Sequence, residues 1–182
     1  MTLQLKLREI VGVSDTALVA LSLNCPLILE IDVHGCPLVT SVALHQVFRT
    51  SMHLRELNLA SCSLVTESAF PSAFVSYDET TQPLVPEDER AQLVLADGFT
   101  TLPVPIPLDQ PPRLRTFDHL RFLDLTSLTN LTDNAVAGIV RYMPRIRNLV
   151  LAKCENLTDN AVDSICSLGK HLHFLHMGHL ER

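Results

Sequence analysis

Four histidines crowd the end of the chain at His171, His173, His176 and His179, and three cysteines recur at Cys36, Cys62 and Cys154. Imidazole and thiolate bind zinc, but a site needs three or four donors converging tetrahedrally. The spacing opposes this. On an extended segment His173 and His176 point to opposite faces, and His171 precedes that segment at the end of a helix, where a cation suits the negative end of the dipole. Neither CxxC nor CxxH occurs. Cys36, Cys62 and Cys154 share one position of a repeating pattern, whereas Cys25 and Cys166 fall on helix faces, so all five read as small buried hydrophobes. No glycine-rich phosphate loop, GxSxG elbow or HExxH helix is present, and burial disfavours a thiolate nucleophile. These residues predict a binding protein and not an enzyme, with no metal and no cofactor.

A second constellation is cationic. Arg55, Arg121 and Arg147 occupy one repeat position, and Lys153 follows the fifth strand of the pattern. Stacked one strand spacing apart, ~4.8 Å, such arginines form a ladder that can hold an acidic tail. Alternatively they are a solvated edge, or pair with an acidic loop of the same chain.

The elements that would position these groups recur every 26 residues. Units begin at Thr2, Ile28, Leu54, Leu120, Ile146 and Leu172, and the one long gap, 66 residues from Leu54 to Leu120, holds an insertion of 40. Three residues into each unit stand Leu5, Ile31, Leu57, Leu123, Leu149 and Leu175; two further on stand Leu7, Val33, Leu59, Leu125, Leu151 and Met177. This alternation predicts a short strand. Position eight carries Ile10, Cys36, Cys62, Leu128, Cys154 and Leu180. Caps follow as Ser14-Asp15, Thr40-Ser41, Thr66-Glu67, Thr132-Asp133 and Thr158-Asp159. Each opens a helix with a predicted buried pair: Ala17-Leu18, Ala43-Leu44, Ala69-Phe70, Ala135-Val136 and Ala161-Val162. A unit this small cannot bury its own apolar face, so it stacks on copies of itself. The sequence predicts one domain over 1–182 of about six units, the last incomplete.

Composition narrows the partners. The 182 residues are 47% hydrophobic but only 5% aromatic, without Trp, which predicts an aliphatic core. A net charge of -6 and no basic stripe argue against nucleic acid. No apolar run reaches the ~18 residues of a membrane span, so no membrane partner is expected. The N-terminus lacks the long apolar centre of a signal peptide. The expected location is cytoplasm, nucleus or both. The insertion, 78–117, holds seven of the eleven prolines and seven acidic residues against Arg90, Arg113 and Arg115. TTLPVPIPLDQPP suits an extended path, and PEDERAQLVLADG carries the start and stop signals of a short helix. It reads either as a docking segment or as a tolerated surface loop.

The pattern LxxLxLxxC followed by a Thr-Asp helix start resembles the cysteine-containing leucine-rich repeat. That resemblance implies an α/β leucine-rich-repeat solenoid, a horseshoe arc with short parallel strands on the concave face and helices on the convex face. More narrowly, LRFLDLTSLTNLTDNAV, IRNLVLAKCENLTDNAVDSICSLGKHLHFLHMGH and the PPRLRTFDHL that ends the insertion resemble the fungal F-box and leucine-rich-repeat proteins of the glucose-repression-resistance (Grr) type. Members of that family are substrate receptors of SCF ubiquitin ligases. Their F-box holds the ligase scaffold and their repeat arc holds a target, often phosphorylated.

The resemblance implies a target-recognition portion of such a receptor. A repeat strand starts almost at Met1, so no F-box is expected within the chain, and the SCF adaptor is a partner only if an F-box is supplied from outside it. The alternative is a free-standing interaction scaffold or competitor. In either case a target would meet the residues between the buried strand leucines: Gln4, Lys6 and Arg8; Glu30, Asp32 and His34; Glu56, Asn58 and Ala60; Phe122, Asp124 and Thr126; Asn148, Val150 and Ala152; Phe174, His176 and Gly178. The expected contacts are Lys6, Arg8, His34, Asn58, Phe122, Asp124, Phe174 and His176, together with Arg55, Arg121, Arg147 and Lys153.

Overall fold

The computed structural model describes residues 3–70 and 116–178. Among these, six strands, β1 (Leu3–Lys6), β2 (Ile28–Asp32), β3 (Glu56–Asn58), β4 (Phe122–Asp124), β5 (Asn148–Val150) and β6 (Phe174–His176), form one sheet, paired throughout in parallel, whose spatial order is the chain order. The connections carry four helices, α1 (Asp15–Asn24), α2 (Ser41–Thr50), α3 (Asp133–Tyr142) and α4 (Asp159–Cys166), and two short 3₁₀ turns, Glu67–Ala69 and Gly169–His171. The fold is α/β. None of the helices among the described residues is long and apolar enough to cross a membrane.

The 26-residue period is the pairing register. Leu5 lies opposite Ile31, Ile31 opposite Leu57, and Leu57 opposite Leu123, with Leu149 and Leu175 completing the row. The pair Leu57–Leu123 keeps the register across the insertion. Residues 71–115, and with them nearly all of that insertion, lie outside the described residues, as do Thr2, His179 and Leu180. At its described end, Phe117 is buried, its N–H donates to the Tyr142 carbonyl at 2.7 Å, and its ring packs on Phe48 with centroids 5.1 Å apart. Phe70 packs on the same ring at 6.2 Å. One aromatic residue thus closes the chain on both sides of the excursion.

β1 to β5 each leave the sheet through a left-handed residue at one repeat position: Glu9 (φ 58°), Gly35 (φ 67°), Ser61 (φ 59°), Ser127 (φ 62°) and Lys153 (φ 58°). Its N–H then donates to the next unit, as from Ser61 to Thr126 O and from Ser127 to Ala152 O, both at 2.8 Å. The turn brings the eighth residue inward. There the thiols of Cys36, Cys62 and Cys154 donate to the carbonyls of Leu7, Val33 and Leu125, 2.8, 3.1 and 3.2 Å away. A small side chain with a weak donor satisfies a main-chain oxygen that would otherwise be stranded in the core. Cys25 is half-buried and Cys166 is exposed, so the helix-face cysteines depart from the expected burial.

One core joins the strand leucines to the helix faces, from Val13 and Leu18 through Ile31, Leu57, Leu123 and Leu149 to Ile165 and Leu168. Burial follows neighbours, not residue type. Ala17 is exposed although Ala43, Ala69, Ala135 and Ala161 at its position are buried, and Val162 is 38% exposed although Leu18, Leu44 and Val136 are fully covered. The alanine side of each helix therefore meets the unit before it, and the larger side chain meets the unit after it. Ile10, 46% exposed against 0% for Cys36, and Leu175, 38% against 0% for Leu149, mark the same two edges of the described stack.

Candidate partner-binding face

Pleating turns alternate strand residues away from the helices, and parallel register lines them into rows across the sheet. One row runs Gln4, Glu30, Glu56, Phe122, Asn148, Phe174, and the next runs Lys6, Asp32, Asn58, Asp124, Val150, His176. The chemistry changes along both rows. Over β1 and β2 the face carries two salt bridges, Lys6 Nζ 3.0 Å from Glu30 and Arg8 Nε 2.5 Å from the buried Asp32, and the His34 ring lies 3.9 Å from the Glu9 carboxylate. The hydrogen bond to Asp32, and then its charge, raise the Arg8 pKa above its ordinary value. Lys6 and Arg8 are already partnered, so their capacity for a phosphorylated target is reduced.

In the middle of the second row the polar side chains serve the backbone. Asp32 Oδ1 accepts from His34 N–H at 3.3 Å, Asn58 Oδ1 from Ala60 N–H at 3.0 Å, and Asp124 Oδ1 from Thr126 N–H at 2.9 Å and its hydroxyl at 2.6 Å. A short polar side chain that binds the N–H two residues on is a local turn device. It orients Asn58 and Asp124 before any partner arrives.

Over β4 to β6 the face carries Phe122, Val150, Phe174 and His176 interspersed with Asp124 and Asn148. Phe122 and Val150 are half-buried, Phe174 is 53% exposed, and the His176 ring lies nearly parallel to it with centroids 6.4 Å apart. A side chain on Gly178 would bring its Cβ within 3.0 Å of that imidazole, so glycine leaves room for the ring. Exposed aromatic residues on a rigid strand face are what interface centres are made of. The structure thus brings Val150, Phe174 and His176 together, with Phe122 two strands from Phe174 across Asn148, and leaves Lys6, Arg8 and His34 over β1 and β2, where Lys6 and Arg8 are salt-bridged.

The arginines are not on this face. Arg55, Arg121 and Arg147 each precede a strand, and they stand side by side along the margin where strands enter the sheet. Lys153, beyond the end of β5, lies at the opposite margin and does not extend that ladder. His53, His119 and Arg145 join the arginine margin although the sequence reading passed over them. Their signal was available, since all three stand one residue before a unit begins. The described members of the histidine run, His171, His173 and His176, are exposed, and no group of three His, Cys, Asp or Glu suited to a metal occurs among the described residues.

Compared with protein-family models the chain matches none, and no curated protein matches it.

Proposed function

We propose that this protein is a leucine-rich-repeat arc whose strand face grips a target protein, serving as the recognition portion of an SCF-type ubiquitin ligase receptor. The observation that carries the binding role is the aromatic end of the face. Phe122, Val150, Phe174 and His176 offer apolar and ring surface on two rows over β4 to β6, with Val150, His176 and Phe174 neighbours in the register and Phe122 two strands from Phe174 across Asn148. Stacked units of one period and a sheet in chain order support the solenoid reading. The sequence motifs quoted above support the ubiquitin-ligase assignment.

The expected target presents an apolar anchor to Phe122 and Phe174, flanked by donors that reach the Asp124 carboxylate. Recruitment to the ligase then places the target's lysines near the ubiquitin-charged enzyme, so the chain itself contributes affinity and orientation and no chemical step. The test is a chimera in which the chain is fused to an F-box and expressed in a fungal cell. The fusion should direct ubiquitination of bound proteins, and F122A/F174A should abolish it while adaptor binding persists. A fusion that holds the adaptor and ubiquitinates nothing it binds would leave a scaffold without a ligase role.

A further inference from the structure

Every strand from β3 onward is entered through a cation or a histidine. Arg55, Arg121, Arg147 and His173 each occupy the residue before a strand, and main-chain bonds lock neighbours together. Arg121 N–H donates to Arg55 O at 2.7 Å, Arg147 N–H to Arg121 O at 2.8 Å, and His173 N–H to Arg147 O at 2.7 Å. Residues joined in this way stand one strand spacing apart, ~4.8 Å. A second column lies two residues upstream, with His53, His119 and Arg145 on the far side of the buried Leu54, Leu120 and Ile146. The His53 and His119 rings are 5.7 Å apart. Beside Arg55 a cleft of about 220 Å³ opens between these rings and Leu27 and Leu29.

Among the described residues no salt bridge pairs the cations of this margin, and Asp118 is the one acid whose charge acts on Arg121. The Lys6–Glu30 and Arg8–Asp32 salt bridges lie on β1 and β2, away from this margin, and Arg55, Arg145 and Arg147 are exposed. Arg121 sits at the centre, where three main-chain carbonyls hold its Nη1: Asp118 at 2.6 Å, Leu120 at 3.0 Å and Arg145 at 3.4 Å. Burial, and after it the charges of Arg147, Arg145 and Arg55, push its pKa below the ordinary value. Like charges fixed this close repel one another, and an anion laid across them relieves the repulsion.

We propose that this margin is a docking surface for a short acidic segment of a partner protein, lying extended along the arginine column. The dimensions favour a peptide. From Arg55 to His173 is three strand spacings, roughly 14 Å, the reach of four or five extended residues. Guanidinium forks accept carboxylates in bidentate pairs. A nucleic acid would extend past this short column and meet a chain whose net charge is -6. The surface is separate from the aromatic strand face, and it stands whether or not the protein serves a ubiquitin ligase.

Fluorescence anisotropy of a labelled oligoglutamate peptide with the whole chain tests the proposal. Binding should weaken as salt rises, and R55A/R147A should lower affinity about tenfold, the loss expected for charges that steer and hold an acidic partner. R145A, a single change at an exposed position outside any strand, provides the same readout should the double variant misfold. F122A/F174A should leave peptide binding unchanged, which separates this surface from the strand face. No binding, binding indifferent to R55A/R147A and R145A, or tighter binding of a single-stranded RNA of equal charge overturns it.

Discussion

The carboxylate of Asp133, the first residue of α3, accepts hydrogen bonds from the Thr158 N–H at 2.8 Å and from the Thr158 hydroxyl at 2.5 Å. Thr158 caps α4, where its hydroxyl oxygen accepts from Asn160 N–H. One carboxylate thus complements the positive end of its own helix and fixes the cap of the next. Asp15 does the same for Thr40, whose N–H lies 2.7 Å away. At the joints between, Ser41 accepts from Thr66 N–H at 3.1 Å, and Glu67 accepts from the Thr132 hydroxyl. The helix layer is stitched by the same residues that start its helices.

Removing one of these stitches leaves a cap without its acceptor, so D133A and D15A should each cost about 1 kcal/mol. The two sites share no partner, so their costs should add within about 0.5 kcal/mol. Burial works to raise the Asp133 pKa, but bonds from Thr158, Asn160 and Ala161 outweigh it and hold the group below its ordinary 3.8. Its folded value being the lower, its stabilisation is complete above the unfolded value and is lost as pH falls through the folded one. Urea midpoints measured against pH should therefore drop less steeply for D133A on the acid side than for the native chain. Identical acid slopes would show that the bond carries no linkage.

The left-handed turn predicts opposite signs at equivalent positions. A non-glycine residue in this region costs about 1 kcal/mol, so S61G and S127G should stabilise the fold by up to that amount, less the entropy that glycine adds to the unfolded chain. G35A should destabilise it, because φ is +67° and the new Cβ would stand 3.2 Å from Glu9 Cγ. Thermal or urea unfolding of the three variants gives the comparison, and a common sign for all three would refute it.

Leu123 and Leu175 hold the same repeat position, yet Leu123 is fully buried and Leu175 is 38% exposed. L123A removes side-chain volume from the closed core and should cost about 2–5 kcal/mol. L175A removes atoms already half in water, and roughly 1 kcal/mol or less is expected. Similar losses for both would mean that β6 is covered in solution.

Thiol chemistry should separate the cysteines by position. Burial pushes Cys62 and Cys154 up to about 11, and both are fully enclosed. Near pH 8 neither presents thiolate, whereas Cys166 is exposed. Iodoacetamide should label Cys166 first, and it should reach Cys62 and Cys154 only when denaturant opens the core. Peptide mapping of the alkylated chain reads this order directly, and early labelling of Cys154 would contradict the burial described here.

The sequence by itself determined which residues are equivalent. A period of 26 with apolar side chains at fixed offsets dictates the strands, their parallel order, the inward row from Leu5 to Leu175 and the places where helical turns start, because units too small to bury themselves have one way to stack. Of the five expected caps, Thr40 and Thr158 accept a capping N–H while Ser14, Thr66 and Thr132 make no such bond, and Glu67 opens only a 3₁₀ turn. Equivalence does not determine environment, and that part only the tertiary structure decided. Ala17 and Val162 share repeat positions with buried residues and are uncovered, since each meets only one neighbouring unit among the described residues. Lys6 and Arg8, legible as free cations on the strand face, are consumed by Glu30 and Asp32 one strand away. Lys153 reads as a continuation of the arginines, but a strand's length separates it from them, while His53, His119 and Arg145 join them. Burial and charge pairing are relations between chain segments, so a period can name the candidates but only packing assigns the partners.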